Sequence, residues 1–207
     1  MIKCESGITF RFEDQYSDVL KYDDTAFYRE MFQKQPSAKA VDFLASSDDR
    51  FILLEVKNCS GNESENRWRV FPNNGKKETN ALVSRDVMGR ESLDIEVAEK
   101  VAMTLAALSG VYTRPKPESK AAPCMVFAES LFDKLTHEGK RKIIVIAVID
   151  GEFGCFTRSN QMIWKSIRES IEKKLKWLNA RVIVTDSGSL REWGIGIHAI
   201  DSDTERQ

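Results

Sequence analysis

Histidine is almost missing from this sequence: His137 and His198 are the only two among 207 residues. Neither stands in a spacing that a metal site or a nucleophile–base pair requires, so histidine-based metal centres and Ser-His-Asp hydrolysis are poor expectations. The four cysteines, Cys4, Cys59, Cys124 and Cys155, include no CxxC pair, which argues against a zinc ribbon and a disulfide framework and points to reduced thiols. Long apolar runs are lacking too. The longest, "IIVIAVI" at 143 to 149, is far too short to cross a bilayer, and the opening "MIKCESGITFRFED" has no apolar signal-peptide core. Nor does one charge dominate: 31 Lys and Arg against 32 Asp and Glu give a formal net charge of -1. No global basic field therefore advertises nucleic acid, and any such contact must come from a local patch. The expectation is a soluble, cytoplasmic protein with no membrane partner.

What is present suits one domain. With 42% hydrophobic residues in 207, the chain can build a full core, and we expect a single domain over 1–207 with a polar, fraying tail from about 201 to 207. "DDTAFYREMFQKQ" (23 to 35) reads as a first helix, with Asp23 and Asp24 as caps and Ala26, Phe27 and Met31 on one face. "KAVDFLAS" (39 to 46) reads as a strand, joined through "SSDDR" to a second strand, "FILLEVKN" (51 to 58), in an antiparallel hairpin. The polar stretch 60 to 90 is broken by "WRVF" (68 to 71), a candidate short strand. "ESLDIEVAEKVAMTLAALSG" predicts a helix with Ile95, Ala98, Ala102, Leu105 and Leu108 inward and Gly110 as its stop. After a proline-punctuated linker (113 to 123) come a short helix around Leu131, the strand 143 to 149, a turn at Asp150-Gly151, and a strand near 153 to 157. A helix over roughly 160 to 178 aligns Ile163, Ile167, Ile171, Leu175 and Leu178, and "RVIVTD" closes the series as a strand. The sum is an α/β fold, a central mixed β-sheet flanked by helices.

The strand 51 to 58 carries the functional signal. After four apolar residues, Glu55 and Lys57 project to the side shared by Phe51 and Leu53, which puts two charges on a core-facing row. E-x-K by itself means little, because it also occurs at Glu118, Glu138 and Glu172. Only the triplet at Glu55 ends an apolar strand, and only it follows a strand with an aspartate, Asp42, inside an apolar run. Two carboxylates and an ammonium at one sheet edge are what metal-assisted phosphodiester cleavage requires. The carboxylates are hard oxygen ligands for Mg²⁺ or Mn²⁺, and the ammonium can stabilise charge that develops on phosphate.

"AVDFLASSDDRFILLEVKN" resembles the core motif of the PD-(D/E)XK nuclease superfamily, in which an aspartate on one strand is followed, after a turn, by an apolar strand ending in E-x-K. The likeness is close over about 20 residues, and the order of helix, strand pair, helix, strand, helix, strand extends it loosely over most of the chain. It implies a restriction-endonuclease-like core and a Mg²⁺- or Mn²⁺-dependent nuclease, with DNA a more plausible substrate than RNA. By the same likeness Asp42, Glu55 and the Val56 carbonyl would be metal ligands and Lys57 the catalytic lysine. Glu30 would stand for the glutamate that the superfamily often adds from its first helix. Val41 occupies the place of the name-giving proline, and no motif identifies a branch of the superfamily.

Downstream, "NRWRVFPNNGKK" brings Arg67, Trp68, Arg69, Lys76 and Lys77 together as a candidate nucleic-acid patch, arginines gripping phosphate beside a ring that can stack on bases. The plain alternative is a strand with Trp68 and Val70 buried and the arginines solvated. Glu55 and Lys57 likewise have a plain alternative, a same-face ion pair at a sheet end. A further alternative keeps the nuclease-like fold as a catalytically inactive binding or assembly module. A homodimer is compatible with the sequence and not specified by it.

Overall fold

The computed structural model describes residues 1–74, 91–114, 119–136 and 142–197. In chain order the elements are β1 (Ile2–Glu5), β2 (Ile8–Phe12), β3 (Asp18–Lys21), α1 (Ala26–Glu30), a 3-10 segment (Phe32–Lys34), β4 (Phe43–Ser46), β5 (Phe51–Asn58), α2 (Glu63–Asn66) and a 3-10 segment (Arg67–Val70). Then follow α3 (Leu93–Tyr112), α4 (Ala122–Thr136), β6 (Ile143–Asp150), α5 (Asn160–Lys174), β7 (Ala180–Thr185), a 3-10 segment (Ser187–Trp193) and β8 (Ile195–Ile197).

A five-stranded mixed sheet in the order β3-β4-β5-β6-β7 organises the molecule. Strands β3, β4 and β5 pair antiparallel, whereas β5, β6 and β7 run parallel. The unbroken apolar sequences of β5 and β6 follow from this position, since a central strand is covered on both faces and has no polar side to offer. Alternate residues go to different cores. Phe51 and Leu53 of β5, with Ile143, Val145, Ala147 and Ile149 of β6, face a layer built from α3, α4 and α5. Ile52, Leu54 and Val56, with Ile144, Ile146 and Val148, face the other way, against Phe10, Phe12, Leu190, Trp193 and Ile195. That second layer is an antiparallel sheet, β1-β2-β8, together with the segment Ser187–Trp193. Deleting a fully buried leucine such as Leu53 or Leu54 would cost about 2–5 kcal/mol. Among the described residues no helix is long and apolar enough to cross a membrane.

Several elements depart from the sequence reading. The first helix shrinks to Ala26–Glu30 plus a 3-10 turn, and its cap is Thr25, whose hydroxyl accepts the Tyr28 amide at 3.1 Å, not Asp23 or Asp24. The strand expected over 39 to 46 begins only at Phe43. "WRVF" is a 3-10 turn, and the strand near 153 to 157 reduces to an isolated bridge between Cys155 and Arg158. The chain cannot make a hairpin after β6 because both edges of β6 are already paired, to β5 and β7. It leaves the sheet through Gly151, at φ 134, a value that suits glycine. Gly110 lies inside α3, whose last turn continues to Tyr112. The inward stripe of α3 includes Leu93, Val97, Val101 and Leu108, while Ile95 and Ala102 are only half-buried, so the expected phase was rotated by part of a turn. Helix α5 ends at Lys174, before the expected 178, although its apolar row is buried as read. Strands β1, β2, β3 and β8 had no counterpart in that reading. His137, His198, Lys76, Lys77 and the tail 201–207 lie outside the described residues.

Candidate active site

The antiparallel register of β4 and β5 sets Phe43 opposite Leu54, so one step further Asp42 comes opposite Glu55. Opposed residues in such a pair share a face, here the face covered by α3. Asp42 and its neighbour Val41 are held by three hydrogen bonds. Its carbonyl accepts the Tyr22 amide at 2.8 Å, its carboxylate Oδ2 accepts the Val56 amide at 2.7 Å, and the neighbouring Val41 amide donates to Thr104 Oγ1 of α3 at 3.1 Å. Glu55 is 1% exposed and sits beside Ala147 of β6 in the ladder, a small residue on the same inward row.

Two residues not singled out by the sequence, Lys100 and Glu96 on α3, complete the constellation together with Arg69, which the sequence places in the candidate nucleic-acid patch. Lys100 Nζ lies 2.6 Å from Glu55 Oε1 and 3.6 Å from Asp42 Oδ1. Lys57 Nζ lies 2.8 Å from the same Glu55 oxygen and 2.7 Å from Glu96 Oε1. Glu96 in turn pairs through Oε2 with Arg69, which is buried and also donates to Asn66 Oδ1 at 3.1 Å and to the Glu91 carbonyl at 3.3 Å. Glu55 Oε2 is buried and has no hydrogen-bond partner among the described residues. Glu96 and Lys100 are four apart on one helix and flank the buried stripe of α3. That spacing is visible in the sequence, but it is equally common on solvated helix faces.

The electrostatics follow from burial. Loss of hydration pushes the Glu55 carboxyl up to about 7, further helped by Asp42 and opposed by Lys57 and Lys100. Burial raises Asp42 as well, against Lys100 and the Val56 amide. For Lys57 burial works to lower the pKa, but Glu55 and Glu96 outweigh it and hold the ammonium above its ordinary range. Burial would raise Glu96, yet Lys57, Arg69 and Lys100 hold it down at about 2.

The other proposed residues are distributed as follows. Glu30 is exposed, paired with Lys120 and not among the acids grouped with Asp42. The acids that adjoin Asp42 are Glu5 of β1 and Asp23, whose carboxylate oxygens and that of Asp42 lie within 4.8 Å of one another. Burial raises Asp23, and its Oδ1 has no partner among the described residues. The candidate nucleic-acid patch divides. Arg69 is committed to Glu96; Arg67 is exposed and donates to the Phe153 carbonyl at 3.1 Å; Trp68 is half-buried. A polar cleft of about 370 Å³ opens beside the constellation, lined among others by Asp23, Asp24, Tyr28, Lys39 and Lys100. The carboxylates of Glu5, Asp23 and Asp42 could hold a hard divalent cation, since their oxygens lie close together and Asp23 has a buried oxygen without a partner among the described residues.

The molecule is thus an α/β protein whose five-stranded mixed sheet carries a buried cluster of acids and lysines at the ends of β4 and β5. The chain belongs to the family described as a family of unknown function (DUF6661), whose model matches residues 25–195. The match includes Asp42, Glu55, Lys57, Glu96 and Lys100 and begins after Glu5 and Asp23. No curated protein matches the chain, and no solved structure matches it.

Proposed function

We propose that the protein is a metal-dependent nuclease with a restriction-endonuclease-like, PD-(D/E)XK-type core, hydrolysing phosphodiester bonds in DNA rather than RNA. One observation carries this reading: Asp42 and Glu55 share a face at adjoining strand ends, with the Lys57 ammonium 2.8 Å from a Glu55 carboxylate that is buried and half-satisfied. The order β4, β5, α2, α3, α4, β6, α5, β7 supports it, being strand pair, helices, strand, helix, strand.

Asp42, Glu55 and the Val56 carbonyl would hold Mg²⁺ or Mn²⁺, with Asp23 or Glu5 as the further carboxylate in place of Glu30. Such a cation supplies Lewis acidity and a more acidic bound water. Lys57 stays protonated between Glu55 and Glu96, so it acts as a fixed positive charge and donor toward phosphate and not as a base; one such donor is worth about 3 kcal/mol in a transition state. Glu96 and Arg69 position that ammonium from the helix side. The cleft carries both signs of charge, Arg29, Lys39 and Lys100 beside Asp23 and Asp24, and its cations are the groups that a phosphodiester backbone would approach.

Labelled linear duplex, single-stranded, flap and junction DNAs, incubated with Mg²⁺ or Mn²⁺, test the reading. Cleavage by the wild type, abolished in both Lys57→Ala and Glu55→Gln, is the expected outcome; an inert wild type overturns it. A second reading, an inactive module of the same fold, is favoured by the unbroken ion-pair chain Arg69, Glu96, Lys57, Glu55, Lys100, in which every cation already has an acid of the protein as partner. Binding of one of these DNAs without cleavage would select it.

A further inference from the structure

Two lysines contact Glu55, but their surroundings differ. Lys57 has Glu55 and Glu96 as partners, so its second anchor lies away from Asp42. The partners of Lys100 are Glu55, at 2.6 Å, and Asp42, at 3.6 Å, the same two carboxylates that would coordinate a cation. Among the described residues Lys100 is the cationic group that reaches both, and it also lines the open cleft with Asp23 and Tyr28. Both ammoniums sit on the same Glu55 oxygen, and the second oxygen has no partner among the described residues. A cation of two charges and six oxygen ligands could satisfy that oxygen and bring its own waters.

We propose that the Lys100 ammonium is a resident counter-ion in the place of the divalent cation, competing with it for Glu55 and Asp42, and that Lys100, once released, moves into the cleft as a phosphate-contacting group. This rests on the metal-dependent reading above. The lysine stem has four rotatable carbons, and its head is a compact point charge, so release needs no movement of α3. A positive charge within 3 Å of a carboxylate opposes the approach of any second cation. While Lys100 is seated, its ammonium offsets part of the charge of both acids in the absence of metal. The same ammonium that occupies the site in the free protein therefore also lines the cleft, ready to meet phosphate there when the site opens.

Mn²⁺ alone, titrated calorimetrically and by electron paramagnetic resonance, provides the test, with melting temperature in chelator and in Mn²⁺ as a second readout. Lys100→Met is expected to bind Mn²⁺ about tenfold tighter than wild type or more, to melt lower in chelator, and to gain more from Mn²⁺. Lys100→Gln, which keeps a polar head for Asp42, is expected to act in the same direction and serves if methionine is not tolerated. Lys57→Met gains less than either, because Lys57 does not span both acids, and Glu55→Gln loses binding. A lysine that merely braces the fold would move affinity the opposite way, so unchanged or weaker Mn²⁺ binding in both Lys100 variants overturns the proposal. Tighter binding with no DNA cleavage by the wild type upholds the counter-ion and overturns the nuclease. Cleavage by the wild type with Mn²⁺ affinity unchanged in both variants overturns the counter-ion alone.

Discussion

Asp94 and Glu55 are both fully buried carboxylates facing the helical layer, 0% and 1% exposed, and each has a lysine within 3 Å, Lys174 at 2.7 Å and Lys100 at 2.6 Å. They differ in how their oxygens are satisfied. The Asp94 carboxylate accepts the Asn73 amide at 3.3 and 3.2 Å, the Ser170 hydroxyl at 2.7 Å and Lys174. Burial works to raise it, but these partners outweigh burial and hold it below its ordinary range. Glu55 has two ammoniums crowded on one oxygen and none on the other, and burial wins, lifting it to about 7. A carboxylate with both oxygens engaged fastens α3 to α5 and the loop before it. One with unmet demand at a sheet edge, among movable lysines, is organised for something that is not part of the chain.

The widest separation of the two should come from truncation. Asp94→Ala strands Lys174, Ser170 and the Asn73 amide, and denaturant unfolding in chelator should register a loss of about 3–4 kcal/mol. Glu55→Gln removes a charge that is poorly compensated, while Lys57 keeps Glu96 and Lys100 keeps Asp42. Its cost should stay below about 1 kcal/mol. Equal losses would erase the distinction between a fastening acid and a functional one.

Next in size is the dependence on pH, where the two acids should have opposite signs. Glu55 is raised from 4.5 to about 7, so between these values the native state holds a proton that the unfolded chain has released. Its stabilising contribution is fully present below 4.5 and is lost as pH rises to about 7, a change of order 3 kcal/mol. Asp94 and Glu96 are lowered; their contributions are present above the unfolded pKa values and vanish as pH falls. Melting temperature in chelator should thus peak near pH 4.5 and decline toward neutrality. Glu55→Gln should shrink the decline to the part that the raised Asp42 and Asp23 contribute, and leave the acid limb intact. An undiminished decline in that variant would assign it to another group.

A smaller effect is expected at Arg69, the outer anchor of the cluster. Arg69→Ala should cost about 2 kcal/mol in chelator, since Glu96 loses a charged donor. Arg69→Lys should recover only part, because an ammonium cannot reproduce the planar fork that reaches Glu96, Asn66 and the Glu91 carbonyl together. Full recovery would mean that charge alone matters there.

How much of this could be read from the sequence depended on whether the signal was local. The apolar runs of β5 and β6 and the row Ile163, Ile167, Ile171 carry their burial in their own spacing. Asp42 and Glu55 stand out because charges interrupt such runs. Strands β1 and β2 are short and alternate polar with apolar residues, and β8 is only three residues long; their sheet exists through pairing across the whole length of the chain. Lys100 and Glu96 were hidden for the same reason. On α3 they look like a solvated i, i+4 pair, and only the packing of the helix over β5 turns them inward. Arg69 beside Trp68 reads as a nucleic-acid contact until Glu96 is found opposite it. For the fold, then, local pattern was a sufficient guide to the central sheet. For the cluster, it identified the strand residues and missed the helix residues that neutralise them.

The smallest expected effect concerns a third kind of carboxylate. Glu30 is exposed and pairs with Lys120 at the surface, where water competes with both partners and ion pairs contribute little. Glu30→Ala should leave the melting temperature without resolvable change, and Mn²⁺ affinity within about twofold of wild type. Asp23→Asn is the informative companion. Asp23 adjoins Asp42 and has a buried oxygen with no partner, so its neutralisation should weaken Mn²⁺ binding while Glu30→Ala does not. The reverse result would return the further carboxylate to the first helix, as the resemblance implied, and would require α1 to rotate when metal binds. The expected result would instead make unmet hydrogen-bond demand, rather than negative charge as such, the feature that separates the acids of the site from those of the surface.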